Sequence, residues 1–204
     1  MSDLHVPGTI QYTALDTALE GAGFNTYTQF GEDGLIGAVF DKIGVANFWC
    51  FEVGAADGFF YSNTLRLREH GWSSVLMESG DDQYRSLESQ YASDEVHCVH
   101  ETVTDLDCVL SRFVDCPVDL DLGVIDIDGQ DYWLWNDMEA YRPRVMLVEF
   151  HWADGESFVP PRGAGRHQAG RQSLIQLGLA KGYIAVAQTH VNLLFVQESL
   201  WLSN

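Results

Sequence analysis

Apolar positions fall at two alternating periods along this chain. Over residues 28–44, Leu35, Ile36, Val39, Phe40 and Ile43 recur at helical spacing, Glu32 and Asp33 precede them where a helix dipole favours acids, and Gly44 follows as a stop. From Phe48 the period changes. FWCFEVG reads as a buried strand ending at Gly54, and a short helix capped by Ser62 or Asn63 stops at Gly71. SVLME is a second strand, and Tyr84, Leu87 and Tyr91 mark the next helix. VHCVHETV alternates and so belongs near a sheet edge, followed by an amphipathic helix through Leu106, Val109, Leu110 and Phe113. LGVIDID and VMLVEF are apolar enough to be covered on both faces. A long polar loop over 152–170 precedes a helix through Leu174, Ile175 and Leu179. Two closely spaced strands, YIAVAQTH and NLLFVQ, end the pattern.

Repeated strand–helix units predict parallel strands joined by right-handed crossovers. The last two strands have no room for a crossover and must form an antiparallel hairpin. The expectation is an α/β, Rossmann-like sheet of the class I methyltransferase kind, mostly parallel with a C-terminal antiparallel hairpin. Residues 1–27, weakly periodic, read as an N-terminal extension with one short helix, and 28–204 as a single domain whose substrate lid is the 152–170 loop.

Composition narrows the range of partners. Hydrophobic residues make up 46% and charged residues 20%, a globular balance, but 30 acidic against 11 basic residues give a net charge of −19. Such a surface repels nucleic acid and anionic lipid. No apolar run approaches the length of a membrane span, and MSDLHVPGTIQY lacks the pattern of a signal peptide, so a cytoplasmic protein is expected. Cys50, Cys98, Cys108 and Cys116 have neither CxxC spacing nor the density of a disulfide scaffold. Oligomeric state leaves no mark in the pattern.

In an open parallel sheet, ligands bind beyond the carboxyl ends of the strands. The first strand runs into EVGAADG, where Gly54 permits a sharp turn and Ala55 and Ala56 permit close approach to the main chain. Glu78 ends the second strand, about twenty residues on, where a carboxylate can accept both hydroxyls of an adenosine ribose. The loop lacks G-x-G-x-x-G and carries the anion Asp57, which suits a cationic sulfonium ligand better than a diphosphate. S-adenosylmethionine fits better than NAD.

The fourth strand leads into IDIDGQDYWLW, with Asp126, Asp128 and Asp131 within six residues, and the fifth ends in Glu149, Phe150 and His151. Asp126, Asp128, Glu149 and His151 are expected in one cleft. They offer a general base for a substrate hydroxyl, a contact for the ligand's ammonium group, or ligands for a hard divalent cation that methyl transfer does not itself require.

The runs TQFGEDG, FEVGAADGFFYSNT, VLMES, VIDIDGQDYW, RPRVMLVEF and KGY…NLLFV resemble the FkbM-type methyltransferases over residues 28–197. The D-x-D-G-x-D run is similar to that family's D-x-E-G-x-E, with Asp128 and Asp131 where Glu is usual. The resemblance implies O-methylation of a hydroxyl on a sugar or secondary metabolite. It also implies cofactor contacts from Glu52, Gly54, Asp57 and Glu78, with Asp126 between cofactor and substrate; Ala55 and Gly58 of the same loop are expected to bind the cofactor with them. Two other readings stay open: a non-catalytic S-adenosylmethionine-binding module, and a metal-dependent glycosyltransferase using Asp126 and Asp128. Five of the eleven basic residues, Arg142, Arg144, Arg162, Arg166 and Arg171, lie between 142 and 171. Arg142 and Arg144 precede a strand and are expected to be structural, whereas Arg162, Arg166 and Arg171 either meet an anionic acceptor or pair with neighbouring surface carboxylates.

Overall fold

A computed structural model describes residues 12–153 and 155–203. The elements follow the order β1 (Tyr12–Ala14), a 3-10 turn (Thr17–Leu19), α1 (Glu32–Ile43), β2 (Trp49–Val53), α2 (Leu65–Arg68), β3 (Ser73–Glu78), α3 (Asp81–Tyr91) and β4 (Val96–His100). They continue as α4 (Leu106–Leu110), β5 (Leu122–Ile125), α5 (Asp131–Asp137), β6 (Val145–Glu149), α6 (Arg171–Ala180), β7 (Tyr183–Thr189), β8 (Asn192–Gln197) and α7 (Glu198–Leu202). One eight-stranded sheet has the order β1-β7-β8-β6-β5-β2-β3-β4. Strands β4, β3, β2, β5 and β6 are parallel, and β8 inserts antiparallel between β6 and β7. The parallel core, its edge strand β4 and the closing hairpin are those the periodicity predicts.

Alternation along the strands gives each face its own core. Phe51, Val75, Met77, Ile125, Met146 and Phe195 pack beneath Leu106, Leu110, Leu134, Trp135 and Leu174 of α4, α5 and α6. Cys50, Leu122, Val124, Leu147 and Val196 face α1 and α7 through Leu35, Ile36, Val39 and Trp201. All four cysteines are thiols, and burial pushes the Cys98 thiol up to about 11.

Two elements depart from the pattern. Part of the presumed N-terminal extension belongs to the sheet: β1 pairs antiparallel with β7, beside a bulge at Val186 whose carbonyl accepts from the Leu15 and Asp16 amides. Leu19 is fully buried, and Trp201 Nε1 donates to Asp16. Residues 1–11 of that extension lie outside the described residues. The second departure is α5, which starts within the acidic run and buries Leu134 and Trp135.

At the end of the sheet away from the strand carboxyl ends, fully buried Asp121 accepts from the Ala46, Asn47 and Phe48 amides and pairs with Arg144. Arg144 also donates to the carbonyls of Ile43 and Gly44, fastening the end of α1. Arg142 donates to the Lys181 carbonyl. Both arginines are structural, as their position before a strand predicts.

Candidate active site

Strand order reverses between β2 and β5, because the chain builds β3 and β4 on one side of β2 before crossing to the other. A cavity of about 950 Å³ opens there, beyond the strand carboxyl ends. The parallel registers pair Val53 with Met77, Val53 with Ile125, and Ile125 with Val148. The next residues, Gly54, Glu78, Asp126 and Glu149, therefore stand level across four adjacent strand ends. All four line the cavity.

Gly54 is required by its position. Its φ is +82°, and a Cβ there would overlap the Asp126 carbonyl oxygen. Without a side chain, the ends of β2 and β5 can lie this close together. The Glu78 carboxylate accepts from the Ala56 amide at 2.8 Å through Oε2 and the Gly80 amide at 2.6 Å through Oε1. Each oxygen keeps a second lone pair for a ligand.

Glu52 lines the cavity yet is 2% exposed, and its oxygens accept from the Asn63 amide and the Ser62 and Thr64 hydroxyls. It fixes the wall that a ligand meets. Ala55 also lines the cavity. Asp57 and Gly58, expected to contact a cofactor, are absent from the lining. Asp57 accepts from the Phe59 and Phe60 amides, closing its own turn, and Gly58 lies so close to Leu87 and Tyr91 that a side chain would collide with them.

The acidic run divides its labour. Asp131 is fully buried and accepts from the Ile127 and Gly129 amides at 2.8 and 2.9 Å. It is the clamp of the loop, and burial pushes its carboxyl up to about 6. Asp128 is exposed, lines the cavity and has a φ of +55°. Ala56 and Tyr61, also left-handed without being glycine, line the same cavity. Strain of this kind gathers at working sites.

Asp126 and Glu149 stand side by side at the ends of the neighbouring strands β5 and β6, their carboxyls within hydrogen-bonding reach of each other. Burial raises both, the charge of Asp131 adding to it at Asp126 and the charges of Asp126 and Asp131 adding to it at Glu149, so Glu149 gives up its proton after Asp126 does. His151 does not join them. Its imidazole is exposed, lies outside the cavity lining and accepts the Ala153 amide at Nδ1. Strand β6 ends at Glu149 and Phe150 is buried in the core, so His151 lies beyond the strand, where alternation no longer holds it on the Glu149 side. Among the described residues, no three His, Cys, Asp or Glu side chains are placed to hold a metal ion.

The 152–170 segment contains no helix or strand among its described residues and lies against α5. Trp133 Nε1 donates to the Pro160 carbonyl at 2.7 Å, and the Gly163 amide donates to Gln130 Oε1 at 2.8 Å. Arg162 lies 4.0 Å above the Trp133 ring and donates to Asp137 Oδ1 at 2.7 Å, which holds that carboxyl down at about 2. Arg171 donates to Gln188 instead of facing the cavity. Arg166 lines it.

Sequence reasoning missed Trp133, Tyr61 and Gln168. Trp133 was recoverable from helical spacing of Leu134, Trp135 and Met138 after an acidic first turn. Nothing local marks Tyr61 or Gln168.

No protein-family model matches the chain, and no curated protein matches it in sequence. Solved structures do match. A candidate O-methyltransferase from Klebsiella pneumoniae superposes with a TM-score of 0.57 at 16% identity, over 95% of this chain and 92% of that one. The O-methyltransferase from Bacillus cereus, solved with S-adenosylhomocysteine, gives 0.56 at 16% identity, over 95% and 93%. Geranyl diphosphate C-methyltransferase from Streptomyces coelicolor A3(2) gives 0.50 at 9% identity, over 93% of each chain. The fold is that of the class I, Rossmann-like methyltransferases. Among the described residues, no helix is long and apolar enough to cross a membrane.

Proposed function

We propose that this protein is an S-adenosylmethionine-dependent O-methyltransferase of FkbM type that methylates a hydroxyl of a sugar or secondary metabolite. The observation carrying this reading is the level row of strand ends, with Glu78 and Asp126 on either side of the bare backbone of Gly54. The donor set suits the cofactor: Glu78 offers two oxygens to a ribose diol, and the acidic lining attracts a sulfonium cation while repelling a diphosphate. When bound, the cofactor supplies an electrophilic methyl group. Asp126 accepts the proton of the acceptor hydroxyl as the oxygen is methylated, and Glu149 retains its own proton and donates to Asp126. Arg162 is occupied by Asp137, so an anionic group on the acceptor would meet Arg166.

Calorimetry tests the binding half. S-adenosylmethionine and S-adenosylhomocysteine should bind and NAD should not. Glu78→Ala removes two charge-assisted hydrogen bonds worth about 1.5–3 kcal/mol each and should weaken cofactor affinity at least tenfold. Unchanged affinity in the folded variant would place the ribose elsewhere. Because no three metal-ligating side chains converge among the described residues, EDTA should leave turnover unaltered. Loss of turnover restored by Mg²⁺ would overturn that expectation.

A further inference from the structure

The lid returns to the body of the protein through a residue that the reaction scheme leaves unused. Gln168 is 6% exposed, and its Nε2 donates to Glu149 Oε2. Beside it, the His151 amide donates to the Ala169 carbonyl at 3.1 Å, so the lid exit runs along the continuation of β6. A carboxyl group is planar with two oxygens. Holding one of them decides where the other points, and the acid beside Glu149 on the row of strand ends is Asp126.

The charged groups facing the pair are carboxyls: Asp131, Asp128 and Glu52 act on Asp126, while Asp126, Asp131 and Asp128 act on Glu149. A lysine or arginine in place of Gln168 would favour the ionised form of Glu149 and strip the proton from the pair. An amide donates a hydrogen bond without adding charge, so it orients the acid and leaves its proton in place.

We infer that Gln168 is a positioning residue, which seats the Glu149 carboxyl from the lid exit so that Glu149 donates its proton in a hydrogen bond to Asp126. This rests on reading Asp126 as the base. Seating of the 152–170 segment is thereby linked to the base: withdrawing Gln168 frees Glu149 to turn, and Asp126 loses the donor that keeps it ionised.

The test needs neither cofactor nor acceptor. Full-length protein labelled with ¹³C at its side-chain carboxyls is titrated by NMR, with the Asp126 signal identified by its loss in Asp126→Asn. In Gln168→Met, which keeps the shape without the donor, Asp126 should titrate higher by about half a pH unit or more. Glu149→Gln, whose amide donates to Asp126 and accepts from Gln168, should titrate close to the wild type. If Gln168→Met does not fold, Gln168→Asn retracts the amide by one methylene and should give the same upward shift. A folded Gln168 variant titrating with the wild type reduces Gln168 to a packing residue and overturns the inference. Turnover is read separately. An Asp126→Asn variant that still methylates would remove the base from the scheme without altering the titration result.

Discussion

Asp126→Asn is expected to lower kcat by about two to four orders of magnitude, the usual range for removal of a general base, while cofactor affinity stays within a few-fold. Asn matches Asp in shape but cannot accept a proton. The measurement is methyl transfer from labelled cofactor to the acceptor found by screening hydroxyl compounds. In the wild type, turnover should rise with pH as Asp126 ionises, with a midpoint above the ordinary carboxylate range, because burial and Asp131 hold its proton. The same variant should be more stable. A group whose proton is held more tightly in the folded state gives stability that is full below its unfolded pKa and declines as pH rises towards the folded value. At pH 8 the native protein therefore carries a penalty for burying these carboxyls, and Asn removes Asp126's share. The gain in melting temperature should be larger at pH 8 than near pH 4. An inactive variant that is also unstable would point to a structural role for Asp126 instead.

Gly54→Ala is the second large effect. A left-handed alanine costs roughly 1–2 kcal/mol, and overlap of its Cβ with the Asp126 carbonyl adds about 1–3 kcal/mol. A loss near 3 kcal/mol should lower the melting temperature of a domain this size by roughly 6–12 °C. Calorimetric melting measures it directly. Relief of the overlap must push the Asp126 backbone outward, so turnover should fall more than cofactor affinity does. A variant melting within a degree of the wild type would show that the β2 and β5 ends are more loosely coupled than their hydrogen bonds indicate.

The parts of this protein readable from its sequence are those set by short-range periodicity. The parallel core and closing hairpin follow from strand spacing, and Glu78, Asp126 and Glu149 follow from a general rule about strand ends. A glycine–acid loop reads the same whether it closes its own turn or a ligand's, so in sequence Asp57 and Gly58 look like cofactor contacts. The capping of Phe59 and Phe60, and the contact with Leu87 and Tyr91, appear only in three dimensions. His151 lies beyond the end of β6, where strand alternation no longer fixes the side a side chain takes. Arg162 found a partner on α5, a helix the pattern passed over, because Asp137 comes within reach only once α5 is folded. Gln168 depends on a contact with Glu149, nineteen residues away in sequence, and no local signal encodes it.

The most direct measurement is a crystal structure of the complex with S-adenosylhomocysteine. The ribose hydroxyls should lie within hydrogen-bond distance of Glu78, and the sulfur should face the side of the cavity formed by Asp126 and Glu149. A ligand bound away from Glu78, or with its sulfur turned from Asp126, would contradict the proposed methyl transfer at these strand ends.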